Sequence, residues 1–106
     1  MHITDLLQPG RVALNRRAGS MRDAIHQLVD LMAGGGNLAD AAAFEVAVLA
    51  REALGGTCVG SGLAIPHAKS TAVRAPGLAA MTLDPPLACE TPDGAPVRLL
   101  FLIAAP

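Results

Sequence analysis

The chain has 106 residues, of which 52% are apolar and 16% are charged, and its formal net charge is −1. This length and composition fit one small folded domain spanning residues 1–106 and exclude a disordered chain. The basic residues form no stripe, and Phe44 and Phe101 are the only aromatic residues. We therefore expect no nucleic-acid partner, because both the cationic surface and the stacking platform for bases are missing.

Two features of the sequence bear on its cellular location. The N-terminus lacks the basic start and the apolar core of a signal peptide, and the longest purely apolar run, Leu99 to Ala105, is too short to cross a bilayer. Cys58 and Cys89 have no metal-ligand spacing. We predict a cytoplasmic protein without direct membrane insertion and without a metal. The two cysteines are expected to be free thiols, with a disulfide as the alternative.

The first third of the chain predicts a strand followed by a helix. Residues 11–14 form a short apolar strand after a Pro-Gly turn signal. Ser20 and Asp23 have the spacing of a helix N-cap, and the apolar residues that follow recur on one helical face. Three glycines, at residues 34–36, end this helix.

A second helix is predicted from an Asp40 cap to about Leu54, with Gly55 in the position of a left-handed terminator. The next stretch, residues 55–62, has four glycines in eight residues and is predicted to be a loop.

The second half of the chain contains mainly strand signals. Residues 63–65 are a short apolar run, and residues 77–83 form a strand that ends at the breaker sequence 84–86. Residues 97–105 form a last strand that is apolar throughout and is expected to be buried on both faces. The pattern predicts an α/β fold with a mixed parallel and antiparallel sheet flanked by helices.

One histidine, His67, follows the glycine-rich segment and comes directly after Pro66. Imidazole is a nucleophile near neutral pH, and small residues allow backbone N–H groups to approach an anion. No residue of the segment is proline, so each has an N–H to offer, and Arg51 or Lys69 could supply a cation. The predicted phosphoryl-binding loop consists of Thr57, Cys58, Val59, Gly60, Ser61 and Gly62.

The segment from Glu52 to Ala68 resembles the phosphorylation signature of the fructose/mannitol-type enzyme IIA domains of the phosphoenolpyruvate-dependent sugar phosphotransferase system. Glu52 is followed, at the spacing of that signature, by Val59-Gly60 and by Leu63-Ala64-Ile65-Pro66-His67-Ala68. The opening residues 3–7 and the closing residues 101–106 are also similar to this family, and the residues after His67 favour its fructose branch.

The resemblance implies that His67 is the phosphoacceptor and that Arg51 lies near the phosphoryl group. It implies a donor, the phosphocarrier protein HPr, and an acceptor, a cysteine of enzyme IIB, in the uptake of a sugar such as fructose, without a cofactor. For Arg51, a cation at a helix end that complements the dipole is the alternative. For the whole chain, the alternatives are a nitrogen-type regulatory enzyme IIA and a non-catalytic fragment or interaction domain.

This sequence departs from the family at two places. Cys58 stands where relatives usually have glycine, and the chain ends at Pro106, before the usual C-terminal helices and a further histidine. Without those helices, the strand at 97–105 should leave apolar area uncovered, which predicts self-association.

Four other polar residues are assigned no chemistry. His2 and His26 are expected at the surface, and Asp84 and Asp93 are expected to form turns.

Overall fold

The computed structural model describes residues 7–89 and 91–106. His2 and most of the opening that resembles the family lie outside the described residues.

The first helix, α1, spans Met21–Ala33 and begins as predicted. The Ser20 hydroxyl accepts a hydrogen bond from the Asp23 backbone N–H at 3.1 Å, which satisfies one of the free N–H groups at the helix start. The apolar stripe of this helix faces the core, with Ile25, Leu28, Val29 and Met32 buried. The cap and the periodicity were both local signals, and both are confirmed.

The second helix, α2, spans Ala41–Leu54 and is capped by Asp40, whose carboxylate accepts from the Ala43 N–H at 3.0 Å. Its end differs from the prediction, because Gly55 has extended backbone (φ 161°) and is not a left-handed terminator. One side-chain bond and one backbone bond close this end instead. The Arg51 guanidinium donates to the Gly55 carbonyl at 2.7 Å, and the Gly55 N–H donates to the Glu52 carbonyl.

The described strands form one mixed sheet, which confirms the predicted α/β class. They are β1 (Val12–Arg16), β2 (Cys58–Gly60), β3 (Leu63–Ala64), β4 (His67–Lys69), β5 (Gly77–Leu87) and β6 (Val97–Ala105). The order is β1-β5-β6-β3-β2, and β4 also pairs with β6. Strand β6 is antiparallel to β5 and parallel to both β3 and β4, while β1 is parallel to β5.

Two strand predictions need correction. Residues 58–60 are a strand and not part of a loop, because the glycines there serve the turn of a tight hairpin. Strand β5 continues through Asp84-Pro85-Pro86 to Leu87, although those residues were predicted to end it. The register of β5 against β6 shifts between Thr82 and Leu87, so the prolines lie where the regular ladder is interrupted and no N–H is needed.

Strand β6 is buried on one face and partly open on the other, so the prediction of burial on both faces is wrong. Alternate side chains of a strand point to opposite faces. Leu100, Leu102 and Ala104 are buried in the core with the helices, whereas Ile103 is 39% exposed. The open face carries an apolar patch formed by Leu7, Ile65, Leu78, Phe101 and Ile103. Self-association through this strand stays a prediction.

His26 lies on the exposed side of α1, as predicted, and links the two helices. Its Nδ1 is 2.8 Å from the Glu45 carboxylate on α2, and its Nε2 is 3.5 Å from Asp30. These carboxylates, and Glu45 first of all, raise the pKa of His26 above its usual value of 6.5. His26 thus lies at the surface, as expected, and its side chain connects α1 to α2.

Candidate functional site

His67 is the first residue of β4 and lies beside β6, where it pairs with Ile103. Its side chain is half-buried, and Pro66 before it is fully buried. The Pro66 carbonyl accepts a hydrogen bond from the Ile103 N–H at 3.1 Å. The backbone that carries the histidine is therefore fixed on both sides, by the ring of the proline and by the central strand.

The imidazole of His67 is oriented by the backbone two residues earlier. Its Nδ1 lies 2.7 Å from the Ile65 carbonyl oxygen. A carbonyl oxygen can only accept, so Nδ1 carries the proton in this hydrogen bond. In the neutral ring the other nitrogen, Nε2, then carries the lone pair. Nε2 is therefore the nucleophilic nitrogen of the neutral ring.

The glycine-rich segment forms the hairpin β2–β3, which leads directly into the histidine. Gly60, Ser61 and Gly62 all have positive φ at its turn. Gly60 has φ 98°, a backbone conformation that side chains with a Cβ rarely adopt, so this position favours glycine for its conformation. Strand β3 then lies beside β6 with Leu63 opposite Leu99, which sets the approach of the chain to His67.

At least three backbone N–H groups of residues 55–62 are already paired inside the protein. Gly55 donates to the Glu52 carbonyl, Thr57 to the Glu52 carboxylate and Ser61 to the Asp93 carboxylate. The expectation that every N–H of this segment is free for a ligand is therefore wrong. Binding of a phosphoryl group by the remaining residues stays a prediction.

Arg51, the predicted neighbour of the phosphoryl group, lies half-buried in the last turn of α2. Its guanidinium donates to the Gly55 carbonyl at 2.7 Å, as described above. This contact fits the alternative of a cation that serves the helix end. A guanidinium has further N–H groups, so the contact leaves donors for a phosphoryl oxygen, and that role stays a prediction.

Asp93 has a larger structural role than the turn residue the sequence predicted. Its Oδ2 accepts from the Ser61 N–H at 2.8 Å, and its Oδ1 accepts from the Ala95 N–H and from the Thr91 hydroxyl, each at 3.0 Å. One carboxylate thus holds the turn of the β2–β3 hairpin and the connection before β6. These hydrogen bonds, with the Ser61 N–H contributing most, lower the pKa of Asp93 below 3.8.

Acidification should loosen this contact. Because the folded-state pKa of Asp93 lies below its unfolded value of 3.8, its hydrogen bonds stabilise the fold above that pH and are lost as the pH falls through the lower value. We expect the urea midpoint of the wild type to fall more between about pH 5 and pH 2 than that of Asp93→Asn. Asp84→Asn, at an exposed position on β5, is the control. Equal losses in the wild type and both variants would contradict the role of Asp93.

Cys58 and Cys89 form a disulfide, and the described residues contain no free cysteine, so the prediction of two free thiols is wrong. Their Cα atoms lie 6.6 Å apart. Cys58 is the first residue of β2 and is buried, whereas Cys89 follows β5 and is half-buried. The bridge and the Asp93 contact together tie the hairpin to the connection between β5 and β6 at two points.

The fold and the site define an α/β domain with one oriented histidine at the start of a strand in its sheet. The family model "Phosphoenolpyruvate-dependent sugar phosphotransferase system, EIIA 2" matches residues 5–106. The chain therefore belongs to the type 2 enzyme IIA family, as the resemblance of its signature implied. Domains of this family are phosphotransferases that work through a phosphohistidine.

Relatives of two kinds are similar to this chain. The 2-O-alpha-mannosyl-D-glycerate-specific EIIABC component of Escherichia coli K12 is 39% identical over 107 residues, which cover 100% of this chain and 16% of that protein. The nitrogen regulatory protein of Pseudomonas aeruginosa is 36% identical over 106 residues, which cover 100% of this chain and 69% of that protein. Sugar transport components and nitrogen regulators are thus similarly close.

The crystal structure of the nitrogen regulatory protein IIA-Ntr from Neisseria meningitidis superposes with a TM-score of 0.86 at 29% sequence identity. The match covers 96% of this chain and 69% of that one. Within the described part of the chain, neither helix is long and apolar enough to span a membrane.

Proposed function

We propose that this chain is a phosphoryl carrier that takes the phosphoryl group from HPr on Nε2 of His67 and passes it to a cysteine of enzyme IIB. The observation that carries the proposal is the hydrogen bond from Nδ1 of His67 to the Ile65 carbonyl at 2.7 Å. It supports a ring held in one orientation with the Nε2 lone pair available for attack. The exchange between proteins fits the cytoplasmic location expected from the sequence.

The transfer needs no proton movement at His67. The Nε2 lone pair attacks phosphorus, the bond from phosphorus to the donor histidine breaks, and the donor ring recovers its own lone pair. In the second step a thiolate of enzyme IIB attacks phosphorus, and the bond to Nε2 breaks, which returns His67 to the neutral form. Nδ1 keeps its proton throughout, so the bond to Ile65 orients the ring before and after transfer.

During transfer the phosphoryl group carries its charge on three equatorial oxygens. A site for it therefore has to position the reacting atoms and to provide hydrogen-bond donors to those oxygens. Arg51 is the proposed cation, through guanidinium N–H groups that do not face Gly55. Among the residues of the predicted loop, we propose that the backbone around Val59 contributes an N–H group, since β2 is an edge strand of the sheet and Val59 is exposed.

Incubation with labelled phosphoenolpyruvate, enzyme I and HPr tests the carrier function. We expect one equivalent of label per chain, with the stability in alkali and the lability in acid of a phosphohistidine. Addition of an enzyme IIB domain should then remove the label. A chain that is folded by circular dichroism but takes no label would contradict the proposal and favour a non-catalytic interaction domain.

A regulatory role is the second candidate, supported by the 36% identity to the Pseudomonas nitrogen regulatory protein over the whole of this chain. Both candidates share the first step, and they differ in the second. Rapid loss of label to enzyme IIB favours transport. Retained label, with target binding that differs between the phosphorylated and free forms, favours regulation. If the function is transport, we propose that the transported sugar is fructose or a related sugar, because the residues that follow His67 resemble the fructose branch of the family.

A further inference from the structure

Glu52 has an unusual position for an acidic residue. It lies in the last turn of α2, where the helix dipole disfavours a negative charge. Both of its carboxylate oxygens accept hydrogen bonds from one residue, Thr57. Oε1 accepts from the Thr57 hydroxyl at 2.6 Å, and Oε2 accepts from the Thr57 backbone N–H at 3.2 Å. The carboxylate therefore stabilises the position of Thr57 and not the helix end.

Thr57 is connected in turn to the residue that orients the histidine. It is only 4% exposed, and its carbonyl accepts a hydrogen bond from the Ile65 N–H at 3.0 Å. The Ile65 carbonyl then accepts from Nδ1 of His67 at 2.7 Å. Thr57 is thus held through its hydroxyl, its N–H and its carbonyl, and a continuous series of hydrogen bonds joins the Glu52 carboxylate to the imidazole.

We infer that Glu52 and Thr57 are positioning residues for His67. They act by fixing Ile65, whose carbonyl selects the ring orientation and places the proton on Nδ1. The inference rests on the proposed function, because it concerns the readiness of Nε2 for phosphoryl transfer. Small displacements of a reacting group reduce rates strongly, so a support two residues behind the histidine has a measurable effect.

The same contacts argue against Thr57 as a ligand of the phosphoryl group, which was its role in the predicted loop. Its N–H and its hydroxyl proton are both donated to Glu52, so neither is left for a phosphoryl oxygen. The Glu52 carboxylate, 2.6 Å from the Thr57 hydroxyl, would also repel an anionic ligand bound at Thr57. The geometry favours support of the ring over contact with the group it carries.

The test combines transfer kinetics with the protonation of the ring. Single-turnover transfer from phosphorylated HPr is measured for the wild type, Thr57→Val, Thr57→Ser and Glu52→Gln. The imidazole ¹⁵N shifts of His67 are recorded for the same proteins. Glu45→Gln is the matched control, since Glu45 lies on the same helix and pairs with His26.

We expect Thr57→Val to transfer about 10-fold more slowly and to lose part of the Nδ1-protonated form, because valine lacks the hydroxyl that donates to Glu52 Oε1 and keeps only the backbone N–H bond to Oε2. Glu52→Gln should show a smaller change in the same direction. Thr57→Ser keeps the hydroxyl and should restore the wild-type values, and Glu45→Gln should not differ from the wild type.

Wild-type rates and shifts in both Thr57→Val and Glu52→Gln would overturn the inference. So would a wild-type ring protonated mainly on Nε2, a result that needs no variant to fold. If the wild type takes no label at all, the proposed function fails, and the ring shifts still decide whether Glu52 and Thr57 orient the histidine.

Discussion

We expect His67→Ala to abolish phosphoryl labelling of this chain, to below about one-thousandth of the wild-type rate, because the covalent acceptor is removed. The ring is half-buried on β4, and no backbone bond to β6 depends on its side chain, since the pairing of residues 67–69 with β6 is made by the main chain. The variant should therefore fold, and the loss should be one of chemistry.

The control for this variant is His26→Ala. His26 is exposed, but its two ring nitrogens face the carboxylates of Glu45 and Asp30 at 2.8 and 3.5 Å. Those charges repel an anionic donor, so His26 should not take the label, and its removal should leave labelling unchanged. Labelling is followed by intact mass and by digestion with identification of the modified peptide. Label that persists in His67→Ala would assign the acceptor to another residue.

We expect reduction of the Cys58–Cys89 disulfide to lower the free energy of unfolding by about 3–4 kcal/mol at 25 °C. The two cysteines are 31 residues apart, and opening a closed loop of that size returns conformational entropy to the unfolded chain. Urea unfolding with and without a phosphine reductant measures the difference. Thiol titration under native and denaturing conditions establishes the redox state in each sample.

The double variant Cys58→Ala/Cys89→Ala is the control for the reductant. It contains no cysteine, so its urea midpoint should be the same with and without the phosphine. It should unfold near the midpoint of the reduced wild type. Two titratable thiols in protein purified without reductant would contradict the disulfide. Equal midpoints in oxidised and reduced wild type would show that the loop between the cysteines is ordered in the unfolded state or strained in the folded one.

Local signals predicted the helices well. The caps at Ser20 and Asp40 depend on side chains within three residues of the N–H groups they satisfy, so the sequence contains the whole interaction. The stripe on α1 likewise depends on helical periodicity alone. The histidine site was predicted from its signature and stays a prediction, and the contacts that orient the ring were not predicted.

The wrong predictions concern interactions between distant residues. The density of glycine at 55–62 indicated a loop, but whether residues 58–60 pair with β3 depends on a turn of positive φ. The bond between Cys58 and Cys89 requires both strand ends to be in place. The role of Asp93 depends on the approach of Ser61, 32 positions earlier. A Glu in the last turn of a helix was the one local signal of the contact with Thr57.

The order of the strands has a consequence for synthesis of the protein. Strand β6 follows all the other described strands in the chain, yet it lies in the middle of the sheet and pairs with β3, β4 and β5. When a nascent chain has emerged from the ribosome only as far as β5, strands β3 and β4 have been made but β6, the strand with which both of them pair, has not. Long-range pairing of this kind forms late and exposes apolar strands in the meantime. His67 therefore reaches its place beside Ile103 only after translation has passed β6, so the candidate site forms after the other described strands have been made.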